Sequence, residues 1–177
     1  MRKIGLILLF FICITFTYYN QANAENIKNY IYKYNKEEIE SCMNTGLSQQ
    51  KCKNALNYYY KQKTIITKQE EDTQECLDNG ITMQNCNYKA IEKYEAVLTN
   101  IINNYEKILP KEQYSLLLLS QSSWEKYYNN NIDFQNGMKN SKKSTISTTI
   151  FSGQIVNCLK NRIEELLSGY YSFITLE

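Results

Sequence analysis

The chain has 177 residues, with 20 lysines and arginines against 18 aspartates and glutamates, and no histidine. That near-neutral balance excludes a polybasic footprint for nucleic acid or an anionic membrane. The missing imidazole excludes Ser-His-Asp and Cys-His catalysis and makes an ordinary zinc site improbable. One proline, six glycines and the lack of a period-two apolar stretch indicate an all-α protein, long enough for one domain with a real core.

At the N-terminus, Arg2 and Lys3 precede an apolar run from Ile4 to Phe16, and Ala22-Asn23-Ala24 follows. A basic head, a short hydrophobic stretch and small residues before a cut are the layout of a secretory signal peptide over 1–24. The apolar run is shorter than the roughly 20 residues of a membrane span, so no membrane attachment is expected after cleavage. The mature protein, 25–177, is expected to be periplasmic or secreted. Cys13 leaves with the signal, and so do Arg2 and Lys3, which brings the bases down to match the 18 acids.

The first helix is expected over 26–44, with Ile27, Tyr30, Ile31, Tyr34, Ile39 and Met43 on its apolar side. Two matching units then follow, Cys42-MNTGLSQQK-Cys52 and Cys76-LDNGITMQN-Cys86, which align Gly46 with Gly80 and Ser48 with Thr82. Within one unbroken helix these paired cysteines would lie about 15 Å apart, too far for a disulfide, which needs Cα atoms within about 7 Å. Asn44-Thr45-Gly46 and Asp78-Asn79-Gly80 are turn signals, and Ser48 and Thr82 suit helix N-caps. Each unit therefore reads as an αα-corner stapled as Cys42–Cys52 and Cys76–Cys86. The rival is two unbroken helices bridged crosswise, Cys42 to Cys86 and Cys52 to Cys76. The central glycines argue against it, although four cysteines allow three connectivities.

A second helix starts after Ser48 and either runs on or breaks near Thr64-Ile65-Ile66-Thr67. A third, from Thr82, carries Ala90, Tyr94, Val97, Leu98, Ile101 and Tyr105 and stops before Pro110. A fourth is expected over 111–130 and a fifth over 148–170, the latter burying Ile150, Ile155, Cys158, Leu159, Ile163, Leu166 and Leu167. The polar stretch 129–147 reads as a long exposed loop. The architecture expected is an antiparallel bundle of about five helices with disulfide-stapled αα-corners.

In the fourth helix, Leu117-x-x-Ser120-Gln121-x-x-Trp124-x-x-Tyr127 resembles the Leu-x-x-Ala-Gln-x-x-Trp-x-x-(Phe/Tyr)-Arg segment of the LprI-like family, exported bacterial proteins named for a lysozyme inhibitor. Upstream, Cys76, Cys86 and Tyr105-Glu106-Lys107-Ile108-Leu109 fit the same pattern; downstream, Asn157-Cys158-Leu159 with Arg162 and Leu166 resembles its closing helix. The resemblance covers 73–170, with 25–70 as an additional corner unit. Tyr128 stands where the family has arginine, and Ile132 where it has a further cysteine. Cys158 is then a free thiol, an intermolecular bridge that would make a dimer, or the partner of a corner cysteine.

What the resemblance implies is a protein that binds a protein partner, lysozyme above all, without a cofactor. Glu70, Glu71, Asp72 and Glu75 form the densest acidic patch and are the candidate contact for a cationic enzyme. Gln121 and Trp124 are expected to tie and fill the core rather than form a recognition surface. A catalytic Cys158 would need an activated thiolate, and no histidine is present to make one; no enzyme activity is expected. The reading from another class is a structural or assembly component of the cell envelope.

Overall fold

The structure, a computed structural model, describes residues 34–141 and 145–175. The expected signal peptide and the first residues of the expected first helix lie outside them. Every element described is a helix: α1 (Lys36–Asn44), α2 (Gln49–Asp78), α3 (Met83–Tyr105), α4 (Lys111–Ser141) and α5 (Thr145–Thr175).

Both corners form as the spacing predicts. Gly46 and Gly80 take positive φ, +89° and +75°, which a side chain would strain. Two residues on, the Ser48 and Thr82 hydroxyls accept from the backbone of Lys51 and Asn85 and start α2 and α3. The turns bring Cys42 to Cys52 and Cys76 to Cys86 with Cα separations of 5.7 and 5.9 Å, and both pairs are disulfides. α1 begins with a capping box: the Asn35 side chain accepts from Glu38 N, and the Glu38 carboxylate accepts from Asn35 N.

Pairings across the bundle give the helix directions. Tyr58 meets Asn100 and Asp72 meets Lys93, so α2 and α3 are antiparallel. Asn87 meets Ser152 and Asn104 meets Tyr170, so α3 and α5 run the same way. Arg162 meets Gln121 and Gln154 meets Gln135, so α4 opposes α5. α5 is the central helix. Its Leu159, Ile163, Leu166, Leu167, Tyr170 and Ile174 are buried against Tyr94, Leu98 and Ile101 of α3 and Leu56 of α2. It also holds α1, where Ser41 Oγ donates to the Thr175 carbonyl and the Glu38 carboxylate accepts from both Tyr60 and Tyr171.

Three expectations are corrected. The stretch 129–147 is not a long loop, since α4 runs to Ser141 and α5 starts at Thr145. The inward stripe of α4 continues through Tyr128, Ile132 and Gln135, and Gln135 is buried with its amide nitrogen donating to Gln154 at 3.1 Å. Docking on α5 outweighs the modest helix cost of the outward asparagines, about half a kcal/mol each. The buried stripe is made partly of amides, so an apolar count passes over it.

Ile150, expected in the core, is exposed, because it stands on the side of α5 opposite Leu159 and Leu166. α3 ends at Tyr105 rather than at Pro110; residues 106–109 form turns in which Leu109 N donates to the Tyr105 carbonyl. The open question at Thr64–Thr67 resolves in favour of one continuous helix, with both threonine hydroxyls bonded to carbonyls four residues back.

Candidate functional site

The residues that carried the resemblance fall into two groups. Leu117, Gln121 and Trp124 lie on the inward side of α4, and Gln121 and Trp124 meet Arg162 of α5. The Arg162 guanidinium is buried, and its Nε donates to Gln121 Oε1 at 3.1 Å. Its terminal nitrogens reach Ser120 Oγ at 3.3 Å and Glu165 at 2.9 Å. Trp124 lies under the guanidinium, 5.9 Å from it, and stacks on Tyr128 with ring centres 5.0 Å apart. Tyr127 faces outward, while Tyr128 takes the buried place and donates to Glu95 of α3 at 3.1 Å.

Gln121 and Trp124 thus tie α4 to α5 through Arg162. Arg162 brings a charge into this contact that is matched by an amide, a hydroxyl and an exposed carboxylate, in keeping with the rule that buried charges are paired and hydrogen-bonded.

The outward side of α4 is different. Leu116, Leu119, Tyr127 and Phe134 are 61, 66, 61 and 66 % exposed. At 3.6 residues per turn Leu116 and Phe134 lie at one angle, five turns apart, with Leu119 and Tyr127 within about a sixth of a turn of it. α4 is the peripheral helix, docked on α5 by its opposite side. Only Leu117 of the four consecutive leucines packs inward. The leucine run was visible in the sequence; which side of it faced outward depended on where α5 docked.

The acidic patch is partly neutralised. Glu70 pairs with Lys160, and Asp72 with Lys93 at 2.9 Å and Lys68 at 3.3 Å. Burial alone would raise the Asp72 carboxyl, but its bonds to Lys93 and Lys68 outweigh that and hold it below its ordinary value. Glu71 and Glu75 have no ion-pair partner among the described residues. Glu75 lines a surface cavity at the second corner with Lys68, Asp72 and Lys93.

Cys158 has no disulfide partner among the described residues and is half-buried beside the core. Burial pushes its thiol above the ordinary value, which keeps it protonated and a poor nucleophile. No three acidic or sulfur side chains among the described residues converge as metal ligands, and no described helix is long and apolar enough to cross a membrane.

Comparison with protein-family models, with curated proteins and with solved structures finds no match to this chain.

Two polar features lay outside the sequence reading. One is the Glu38–Tyr60–Tyr171 cluster, which lines a 400 Å³ cavity between α1 and α5. The other is a groove between α2 and α3 lined by Gln62, Asn100 and Asn104. The only signal for the groove was the spacing of the asparagines at one helical turn, which is also the pattern of a solvated helix side.

Proposed function

We propose that this protein is an exported helical binding protein whose working surface is the outer side of α4, and that it inhibits a lysozyme-like muramidase. The observation that carries the binding role is the line of Leu116, Leu119, Tyr127 and Phe134 left uncovered on that helix. One exposed leucine is ordinary. Four large apolar side chains on one side of one helix make the kind of patch that marks an interaction site. Two disulfides staple the α1–α2 and α2–α3 corners of the bundle that α4 joins through α5, so the surface is offered by a preorganised scaffold, which lowers the ordering cost of binding.

The muramidase as target rests on the resemblance to LprI-like exported proteins. It is supported by the contact of Gln121 and Trp124 with Arg162, which makes the resembling segments one packing unit. Glu71 and Glu75, free of ion pairs among the described residues, would favour a cationic enzyme.

The test is lysozyme activity on peptidoglycan with increasing amounts of the oxidised chain 25–177, repeated after reduction. Stoichiometric inhibition that is lost on reduction is the expected outcome. Full activity of several lysozyme types at saturating protein would remove the muramidase. It would leave the second reading, an assembly component of the cell envelope, in which the same apolar side of α4 meets a partner chain and Cys158 bridges two copies. Copurification of an envelope protein, lost when Leu119 and Phe134 become serine, would support that reading.

A further inference from the structure

The antiparallel pair α2 and α3 leaves a groove on the bundle surface that no residue of α4 lines. Its main cavity, 580 Å³, is bordered by Tyr58, Gln62, Asn100 and Asn104, with Lys61 and Lys107 at the rim. A smaller cavity of 170 Å³ shares Tyr58, Asn104 and Lys107 with it and adds Lys51, so the two form one groove.

Gln62 is the key residue. It is 4 % exposed, borders the cavity, and its amide has no hydrogen-bond partner among the described residues. The one buried side-chain polar atom without a hydrogen-bond partner among the described residues is Gln135 Oε1, so the Gln62 amide opens to the groove and is available to an occupant. Its neighbours are half satisfied. Asn104 donates its amide nitrogen to Tyr170 Oη at 3.0 Å, and its oxygen accepts from none of the described residues. Asn100 accepts from Tyr58 Oη at 2.8 Å, and its NH2 donates to none of them.

The groove therefore holds donors and acceptors that the fold does not consume. Asn100 and Asn104 stand four residues apart along α3, about 6 Å of rise, near the roughly 6.6 Å at which an extended chain repeats the groups on one side. Primary amides match a peptide unit, since both offer one N–H direction and one carbonyl. Lys51, Lys61 and Lys107 outnumber Glu106 around the groove, which favours an acidic occupant. A glycan would need an open aromatic face, but the Tyr58 ring lies tilted on Tyr170 at 5.4 Å and its hydroxyl is committed to Asn100.

We propose that the groove between α2 and α3 binds an acidic polypeptide segment in extended conformation, with Gln62, Asn100 and Asn104 pairing with its backbone and Lys51, Lys61 and Lys107 with its carboxylates. The site is separate from the outer side of α4 and stands whether or not a muramidase is the target.

The experiment selects a displayed random-octapeptide library on the full oxidised chain and measures the best binder, fluorescein-labelled, by anisotropy. Aspartate and glutamate should be enriched. Gln62→Leu should weaken the labelled peptide by about tenfold or more while leaving thermal stability little changed, because the amide makes no hydrogen bond to the described residues. Lys61→Glu with Lys107→Glu should abolish the acidic preference. Selection without acidic enrichment, or unchanged affinity in Gln62→Leu, would overturn the proposal. So would a chitotetraose probe that shifts the side-chain amide resonances of Gln62, Asn100 and Asn104 when the selected peptide does not.

Discussion

Gln121 on α4 and Arg162 on α5, 41 positions apart in the chain, meet in the interior, with the guanidinium Nε donating to the amide oxygen at 3.1 Å. Gln121→Leu would leave that donor buried without its acceptor and should destabilise by about 1–3 kcal/mol. Arg162→Met removes the charge together with its need for partners. The double variant should then lose less than the sum of the two singles, with a coupling of about 1 kcal/mol. Urea unfolding of the four proteins measures this, and strict additivity would show that the pair is not a unit.

Trp124 is half-buried, stacked on Tyr128 and covered by Arg162. Trp124→Ala should cost about 2 kcal/mol, less than the roughly 3–5 kcal/mol of a fully buried aromatic. Thermal or urea unfolding decides it. No loss of stability would return Trp124 to a recognition role.

Each corner disulfide closes a loop of sequence separation 10. By the chain-entropy account, replacing Cys42 and Cys52, or Cys76 and Cys86, by alanine should cost about 2–3 kcal/mol per bridge. Nonreducing peptide mapping should return Cys42–Cys52 and Cys76–Cys86. Crosswise fragments linking Cys42 to Cys86 would contradict the corner geometry.

Alkali should unfold the protein through its buried phenols. Burial pushes Tyr94 and Tyr170 up from 10.0 to about 12, and raises Tyr58, Tyr105 and Tyr128 as well. A raised folded value means the unfolded chain releases these protons first as pH climbs. Their contribution to stability is complete below about pH 10 and is lost as pH rises from there through about 12. Tyrosinate absorbance and helical circular dichroism should therefore change together in that window. Five phenols ionising near pH 10 with the helices intact would be the opposite result.

The outward residues of α4 are predicted to matter for binding and not for folding. Leu119→Ser and Phe134→Ser should each change stability by no more than about 0.5 kcal/mol, since both side chains are mostly exposed. If either proves strongly destabilising, its side chain is packed and the surface assigned to α4 is wrong.

Much of the fold was legible because its signals are local. Gly46, Gly80, Ser48 and Thr82 act within a few residues of chain, so the two corners, their caps and the disulfide pairing could be argued from spacing alone. The stripe of α3 from Ala90 to Tyr105 repeats at the helical period and is buried. The far end of α4 was misread because its inward contacts include Gln135, an amide whose partner Gln154 lies on another helix. A side chain's polarity does not reveal that a partner exists elsewhere.

Helices joined at two turn-forming corners could be read from the residues, since turn chemistry and capping are set by neighbours along the chain; the cysteine pairing was one of three connectivities until the corners folded. Only the tertiary structure decided which surfaces stay open. Docking on α5 turned Leu117, Gln121 and Trp124 inward and left Leu116, Leu119, Tyr127 and Phe134 outside. The antiparallel packing of α2 on α3 left the Gln62 amide open to a groove, with no hydrogen bond to the described residues, beside two half-satisfied asparagines. Exposure and hydrogen-bond satisfaction belong to pairs of elements, and the pairing arises only when the helices assemble.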